Sequence, residues 1–425
     1  MRKFHIKTYG CQMNVYDSRL IHQLLVERGL EPVDDELRAD VVILNTCAVR
    51  RKAEVKAIAH ARYLKNRGKF VAVIGCVARE HGESLLKSGA ADAVLAHRAY
   101  NKLPDVILKS MNVVDVRPDG KLIEFTSLPL KRRRTGFSEF VTIMEGCDNF
   151  CSYCIVPYTR GREISRPAEH ILEEIRNLEK QGVIEVTLIG QNVNSYFDDR
   201  HDFAELLDMV ASGSSLYRIR FTTLNPRDVS IKMLKVIEKH LPRLTDWLHL
   251  PLQAGSTKVL RDMRRGYTGD EFIEMVRNVR KFLPEAVITT DIMVGFPTET
   301  EEDFLETLRV VREVEFDHAF TFIYSPRPKT RAARWDDLPY EVKSARLRKL
   351  IEEVDRIARK KREDMLDREY EILVERPSEK DPSVSMGRTR GFIAVVLDRW
   401  VPPGEIVRAK ITEIRGLTPI GKVIE

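Results

Sequence analysis

Short apolar runs alternate with longer amphipathic stretches through the first 117 residues. Phe4–Thr8, Val41–Asn45 and Phe70–Gly75 read as strands; the stretches near Asp17–Arg28, up to about Lys65, and near Glu80–Lys87 read as helices. Continuous Val, Ile and Leu runs set between helices predict a parallel sheet covered on both faces. From about Ser138 to Asp364 the pattern returns with longer units. Its strands are Glu139–Met144, Glu185–Ile189, Arg218–Thr223, Trp247–Pro251, Val287–Val294 and Ala319–Tyr324, separated by helices such as Pro167–Gln181, Asp228–Lys239, Asp270–Phe282 and Glu301–Val314. Six such units are fewer than the eight of a closed barrel, so a partial, open barrel is expected. Tyr340–Asp367 reads as one long charged helix. Beyond it Ile372–Val374, Phe392–Leu397, Ile406–Ile414 and Gly421–Ile424 are short strands broken by Gly and Pro, the pattern of a small β-barrel. The fold class is therefore α/β: an N-terminal parallel α/β sheet domain (1–117), a linker (118–137), a central partial barrel (138–364) and a C-terminal β-barrel (365–425).

Composition narrows the partners only a little. The 425 residues are 43% hydrophobic and 32% charged, enough to bury a sizeable core. The formal charge of +6 permits a nucleic-acid partner without requiring one. The run Lys131-Arg132-Arg133-Arg134 in the linker suits a solvated segment or a phosphate contact equally. No apolar run approaches the ~20 residues that span a bilayer, and the start lacks the apolar core of an export signal. A cytoplasmic protein without a membrane partner is expected.

The six cysteines change the picture most. A chain of this length without an export signal has no need of disulfides. Cys147-x3-Cys151-x2-Cys154 places three thiols in eight residues with no fourth Cys or His nearby, unlike the four-ligand patterns of zinc sites. Three thiolates suit a cubane iron–sulfur cluster with one iron left open. Cys11, Cys47 and Cys76 each stand at or just past the carboxyl end of a strand. In a parallel sheet those ends share the edge where ligands bind, and helices starting there favour thiolate. Buried inert thiols are the alternative for any one of them. Asn14 and Asn45, beside these loops, read as turn or cap residues.

The cysteine loop Gly146–Cys154 follows the first barrel strand, at the face where catalytic groups of βα barrels collect. C-x3-C-x2-C in that place resembles the radical S-adenosylmethionine enzymes. The resemblance implies that Cys147, Cys151 and Cys154 hold a catalytic [4Fe–4S] cluster whose open iron is chelated by S-adenosylmethionine, the source of a 5′-deoxyadenosyl radical. Other strand ends offer candidate cofactor contacts: Gln191, Gln253, Asp291 and Gly295, with Tyr153 next to Cys154. Structural hydrogen bonding for the glutamines, a plain turn for Gly295 and shielding for Tyr153 are the competing roles, and His249 reads as a satisfied core residue.

Further motifs run the length of the chain. They are Lys7-Thr8-Tyr9-Gly10-Cys11-Gln12-Met13-Asn14, Asn45-Thr46-Cys47-Ala48-Val49-Arg50, Gly75-Cys76, Met144-Glu145-Gly146-Cys147 through Arg160-Gly161-Arg162-Glu163, Ile189–Tyr196 and Tyr324-Ser325-Pro326-Arg327-Pro328. With them the chain resembles the methylthiotransferases, whose C-terminal barrel is of the TRAM type. This implies a second [4Fe–4S] cluster on Cys11, Cys47 and Cys76. It also implies that one S-adenosylmethionine methylates sulfur at that cluster and a second one is cleaved to activate the substrate. Three substrates are known in the family: isopentenylated adenosine at tRNA position 37, threonylcarbamoyl adenosine at the same place, and an aspartate of a ribosomal protein. The residues after Cys11 and the run Arg160–Arg166 are similar to the first branch, so carbon 2 of isopentenylated adenosine is the expected target. An electron donor such as flavodoxin or ferredoxin and a monomeric state go with this expectation.

The chain departs from the pattern at Leu224-Asn225, where Ser-His is expected, and at Lys329 and Arg331, where Gly and Pro are expected. From Leu366 to Glu425 ten Lys/Arg meet ten Asp/Glu, no strong phosphate footprint. Arg388, Arg390, Arg399 and Arg415 with Phe392 or Trp400 would form the RNA face of the small barrel, unless they are simply solvated. The alternative class is an RNA-binding protein whose clusters are structural.

Overall fold

The computed structural model describes residues 2–48, 51–110, 112–115 and 134–424. Most of the linker, with Lys131–Arg133, and Val49-Arg50 of the second motif lie outside the described residues.

The N-terminal domain is one parallel sheet with strands β1 (Lys3–Thr8), β2 (Glu31–Pro32), β3 (Val41–Thr46), β4 (Phe70–Gly75), β5 (Ala93–Leu95) and β6 (Val113–Asp115), in the order β2-β1-β3-β4-β5-β6. Helices α1 (Gln12–Glu27), α2 (Arg51–Lys65), α3 (Cys76–Lys87) and α4 (Leu103–Leu108) cover it. Alternation along β3 sends Val42 and Leu44 into one apolar layer, Val41 and Ile43 into the other. The unbroken apolar strands are thus buried on both faces. β2, β5 and β6 were too short to stand out in the sequence.

Two helices begin earlier than their periodicity predicts, and each shift brings in a cysteine. α1 starts at Gln12 rather than near Asp17, because Cys11 is its N-cap and Asn14 closes a capping box with it. α3 starts at Cys76 rather than Glu80, after Gly75 at φ +92, where a Cβ would meet the Thr46 carbonyl oxygen at 2.4 Å.

The central domain has the six expected strands: β7 (Ser138–Thr142), β10 (Glu185–Ile189), β11 (Arg218–Phe221), β12 (Trp247–His249), β13 (Val287–Val294) and β14 (His318–Ile323). They form two parallel three-stranded sheets, β11-β10-β7 and β12-β13-β14, rather than one ladder. Among the described residues only the pair Ile219 and Leu244 bridges them. The first strand stops at Thr142; Met144–Glu145 (β8) turns away to pair antiparallel with Ile164–Ser165 (β9), and this hairpin carries the cysteine loop. Helices α5 (Val156–Thr159), α6 (Ala168–Glu179), α7 (Phe203–Gly213), α8 (Ile231–Lys239), α9 (Thr257–Asp262), α10 (Gly269–Phe282) and α11 (Glu301–Val314) follow in order. The long helix α12 (Tyr340–Glu363) ends four residues before the expected Asp367 and lies along β14. No described helix is long and apolar enough to cross a membrane.

The C-terminal domain is a closed barrel, β15 (Glu369–Pro377), β16 (Ser385–Thr389), β17 (Ala394–Leu397), β18 (Ile406–Arg415) and β19 (Thr418–Val423), ordered β15-β16-β17-β19-β18. The sequence hid β16, whose Ser-Met-Gly-Arg-Thr lacks an apolar run. The barrel docks on the amino-terminal ends of the central strands. Glu371 pairs with Arg218 at 2.7 Å, Arg390 with Asp246 at 3.1 Å, and the buried Arg220 donates to the carbonyls of Arg390 and Thr389. Phe392 stacks on Trp247 with centroids 4.3 Å apart, under the guanidinium groups of Arg388 and Arg220. This corrects the expected RNA face: Phe392 and Arg390 are spent on domain docking, Arg388 is paired with Glu375 within the barrel, and Arg415 is paired with Glu413. Trp400, 53% exposed, and the exposed Arg399 are left facing solvent.

Candidate functional site

The first cysteine trio hangs on the β8–β9 hairpin. Gly146 at φ +81 opens the loop, its missing side chain making room for the Arg162 carbonyl, which a Cβ would meet at 2.0 Å. Its N–H donates to Gln191 Oε1 at 2.6 Å, and Cys147 N–H donates to the Gly161 carbonyl. Ser152 ties the loop to Asp262, Met263 and Ala332. Donors point at the sulfurs: Asn149 Nδ2 lies 3.4 Å from Cys147 Sγ, and the buried Arg265 Nη1 lies 3.5 Å from Cys151 Sγ. Such donors are the usual outer shell of an iron–sulfur centre.

The chemistry of the donor set fits a cluster. Burial pushes the Cys147 thiol up to about 11 and the Cys154 thiol up to about 12, so three thiolates do not coexist here without a cation between them. Among the described residues no three His, Cys, Asp or Glu side chains approach closely enough to hold a single metal ion.

The second trio gathers at the carboxyl edge of the N-terminal sheet, after β1, after β3 and at the start of α3. Cys47 and Cys76 are buried, Cys11 exposed. Asn14 and Asn45 do more than cap. Both are buried; Asn14 Nδ2 donates to Asn45 Oδ1 at 2.9 Å and to the Thr46 carbonyl, and Asn45 Nδ2 returns a bond to the Asn14 carbonyl. The two loops bearing Cys11 and Cys47 are locked together.

The N-terminal domain meets the central one through α1, whose Met13, Tyr16 and Leu20 pack on Phe140, Ile164 and Ile189. Buried in this seam, Arg160 pairs with Asp17 at 3.2 Å and Glu145 at 3.3 Å. Burial works against its charge, but Asp17, Cys76, Glu145 and Cys11 together hold it firmly protonated. Arg160 stands in the hairpin that carries the first trio and is felt by two thiols of the second. Across the seam Arg327 binds Glu54 at 2.8 Å, Glu54 also pairs with His81 of its own domain at 2.8 Å, and Cys47 lies within electrostatic reach of Arg327. The hydrogen bond from His81 holds Glu54 below the usual carboxylate range. Sequence reading singled out the Arg160 and Arg327 motifs without their role; nothing in the sequence marked Arg265, Glu54 or His81.

The remaining candidates fall in different places. Gln191 holds the cysteine loop, as above. Tyr153 packs with Ala254, Met263, Phe296 and Tyr324 beside the first trio. Gln253, at φ +69, pairs by its backbone with Asp291 and Met293. Asp291 lies within β13 rather than beyond it, 3.6 Å from His249 Nε2. His249 is satisfied, its Nδ1 meeting Thr289 Oγ1 at 3.0 Å. Gly295, at φ +72, faces the Lys343 methylenes, which a Cβ would meet at 2.2 Å, and its N–H donates to Glu299. A polar cavity of about 300 Å³ adjoins the first trio, lined by Asp148, Asn149, Glu163, Asn192, Asn194, Ser195, Arg227 and Asp228. Its loops are laced by Asn194 and Asn225, which exchange bonds at 2.8 and 2.9 Å, so the unexpected Leu-Asn sequence still serves the fold.

The Radical SAM superfamily matches residues 141–311, an uncharacterized protein family (UPF0004) residues 3–96, and the TRAM domain residues 364–424. A tRNA-2-methylthio-N(6)-dimethylallyladenosine synthase of Acidovorax sp. (strain JS42) is 41% identical over 443 residues, covering 100% of this chain and 98% of that protein. One of Nitrosomonas eutropha is 42% identical, covering 99% of this chain and 98% of its own. Among solved structures, the radical S-adenosylmethionine methyltransferase TsrM of Kitasatospora setae aligns with a TM-score of 0.60 at 12% identity, over 78% of this chain and 77% of that one, a likeness of fold.

Proposed function

The chain belongs to the family of the tRNA-2-methylthio-N(6)-dimethylallyladenosine synthases, and from that premise we infer the division of labour among its residues. It is a radical S-adenosylmethionine transferase that adds a methylthio group to carbon 2 of dimethylallyl adenosine in tRNA, using [4Fe–4S] chemistry. The observation that supports the site assignment is the seam itself: the buried Arg160, carried on the hairpin that bears the first trio, lies within electrostatic reach of Cys11 and Cys76 of the second.

Cys147, Cys151 and Cys154 would hold the cluster that binds S-adenosylmethionine, and Cys11, Cys47 and Cys76 the second one. When bound, these groups supply one-electron cleavage of the cofactor and a site for the sulfur to be transferred. The protein's own part is placement. Asn149 and Arg265 donate to the first trio and disperse its negative charge, while Arg160 does the same for the second. Tyr153, Gln253, Asp291 and Gly295 border the space for the cofactor, and Gln191 acts on it through the backbone of Gly146. The TRAM domain binds RNA. A flavodoxin or ferredoxin is the proposed electron donor to a monomeric, cytoplasmic enzyme.

Anaerobic reconstitution followed by assay of 5′-deoxyadenosine, and mass spectrometry of nucleosides from dimethylallyl-modified tRNA, test the assignment. The methylthio nucleoside is expected from the wild type and absent from Cys147→Ala. Cofactor cleavage by Cys147→Ala at the wild-type rate would reject the assignment.

A further inference from the structure

The sheet β12-β13-β14 carries a group of side chains that neither cysteine trio uses. Ile288, Ile292 and Val294 of β13 join the core beneath the outer helices, so strand alternation turns Thr289, Asp291 and Met293 to the concave face. Ala319 of β14 is also in that core, which turns His318 and Phe320 the same way, and Phe320 stands opposite Asp291 in register. There Phe320 meets the ring of His318 edge-on at 4.7 Å and that of His249 at 6.1 Å. Burial holds His318 below the usual histidine range, so it adds a neutral ring rather than a charge. Despite these walls Phe320 is 47% exposed, in the middle of a strand. Below it Phe392 stacks on Trp247, the first residue of β12, at the amino-terminal end of the sheet. Above it β14 ends three residues later, about 10 Å at the rise of a strand, and runs on to Arg327 at the seam beside Cys47.

We infer that Phe320, walled by His249 and His318, is the seat of the dimethylallyl group of the target adenosine. The inference rests on the proposed function and deepens it. A phenyl ring open to water inside a channel is stabilised by an apolar occupant. Of the two ligands this reaction brings together, S-adenosylmethionine is polar or charged along most of its length. The target base brings a five-carbon hydrocarbon on its exocyclic nitrogen, reaching beyond the ring. With carbon 2 of the base held at the cysteine end, that arm has the channel to enter. A missing apolar contact of this size is worth roughly ten- to two-hundredfold in discrimination.

The test uses reconstituted holoenzyme and two anticodon stem-loop RNAs, one with dimethylallyl adenosine and one with plain adenosine at the target position. Dissociation constants for both RNAs and for S-adenosylmethionine are measured for wild type, Phe320→Ser, Phe320→Leu and Phe320→Trp. The wild type is expected to prefer the modified RNA at least tenfold. Phe320→Ser should lose about tenfold of that preference, with affinity for plain RNA and for S-adenosylmethionine unchanged. Phe320→Leu should keep most of the preference, and Phe320→Trp, by filling the seat, should abolish it without relying on the stability of the serine variant. Undiminished preference in both Phe320→Ser and Phe320→Trp overturns the inference, as does a selective loss of S-adenosylmethionine affinity, which would give the ring to the cofactor's adenine. A wild type indifferent to the modification overturns it too. Failure of the functional assignment looks different: the wild type would then cleave S-adenosylmethionine yet make no methylthio nucleoside from the modified RNA.

Discussion

Replacing Asp17 by Asn should make the enzyme less sensitive to alkaline pH. Asp17 is 3% exposed and shares Arg160 with Glu145, so one guanidinium serves two carboxylates. Burial raises its pKa to about 7, Arg160 opposing the rise and Glu145 adding to it. The folded state thus keeps a proton that the unfolded chain, at 3.8, releases. Stability from this group is complete below pH 3.8 and is lost as pH climbs through 7. Of a span of about 4 kcal/mol, roughly 1–2 kcal/mol falls between pH 6 and pH 8. His81, raised by the hydrogen bond it donates to Glu54, changes stability in the same direction. The measurement must therefore compare wild type with Asp17→Asn rather than rely on the wild type alone. Anaerobic urea unfolding at pH 6 and pH 8, followed by tryptophan fluorescence, should show the wild-type midpoint falling about half a molar further than that of Asp17→Asn. Arg160→Met should destabilise by about 3–5 kcal/mol at pH 8, since it takes the guanidinium away from the buried Asp17 carboxylate. Equal pH responses of wild type and Asp17→Asn would refute the account of the seam.

Cys76→Ala should reduce iron from about eight to about four per chain and abolish the methylthio nucleoside while leaving 5′-deoxyadenosine formation in place; parallel iron and product assays check it. After removal of iron at pH 8, Cys147 and Cys154 should alkylate about a hundredfold more slowly than in urea, because at their raised pKa values only about a thousandth or less of each is thiolate. Peptide mass spectrometry reads both rates, and comparable ones would count against a buried trio. Phe392→Ala should weaken the docking of the C-terminal barrel by about 1–3 kcal/mol, a half-buried ring with one stacked partner and two cations being lost; faster proteolysis near residues 364–369 would report it. Lys329→Gly should stabilise by about 1 kcal/mol, since Lys329 occupies φ +69, a conformation costly to a residue with a Cβ; an unchanged melting temperature would speak against strain there.

The sequence made the parallel strands, and the place of Cys11, Cys47 and Cys76 at their carboxyl ends, legible for one reason. Strand periodicity locates the carboxyl ends of parallel strands, and those ends share an edge whatever the loop lengths between them. β4, β10, β13 and α11 lie within the limits their periodicity set. What escaped detection depends on contacts between distant segments. Asn14 and Asn45 look like any turn residues until the loops of Cys11 and Cys47 are side by side. Arg265 is 114 residues from the sulfur it touches, and Glu54 is 273 from Arg327. β16 is stabilised by its neighbours in the barrel rather than by its own apolar character. Phe392 illustrates the converse error: an aromatic among arginines suits an RNA platform by composition, and only tertiary packing shows that Trp247 already occupies its face.

That displacement bears on the proposed grip on RNA. The C-terminal barrel sits on the amino-terminal ends of the central strands, whereas the cysteines stand at the carboxyl ends. The eight residues of β13 span about 26 Å at the rise of a strand. If the barrel binds RNA as proposed, it does so at a distance from the nucleotide delivered to the cysteines. It also plugs the channel: Phe392, Arg390 and Glu371 complete the pairing of Trp247, Asp246 and the buried Arg218. Cutting the chain after α12 would strip those partners from the central domain and open its floor. Loss of activity on such truncation measures the integrity of the channel as much as the grip on tRNA. Substitutions at Arg399 and Trp400, which face solvent and take no part in docking, separate the two.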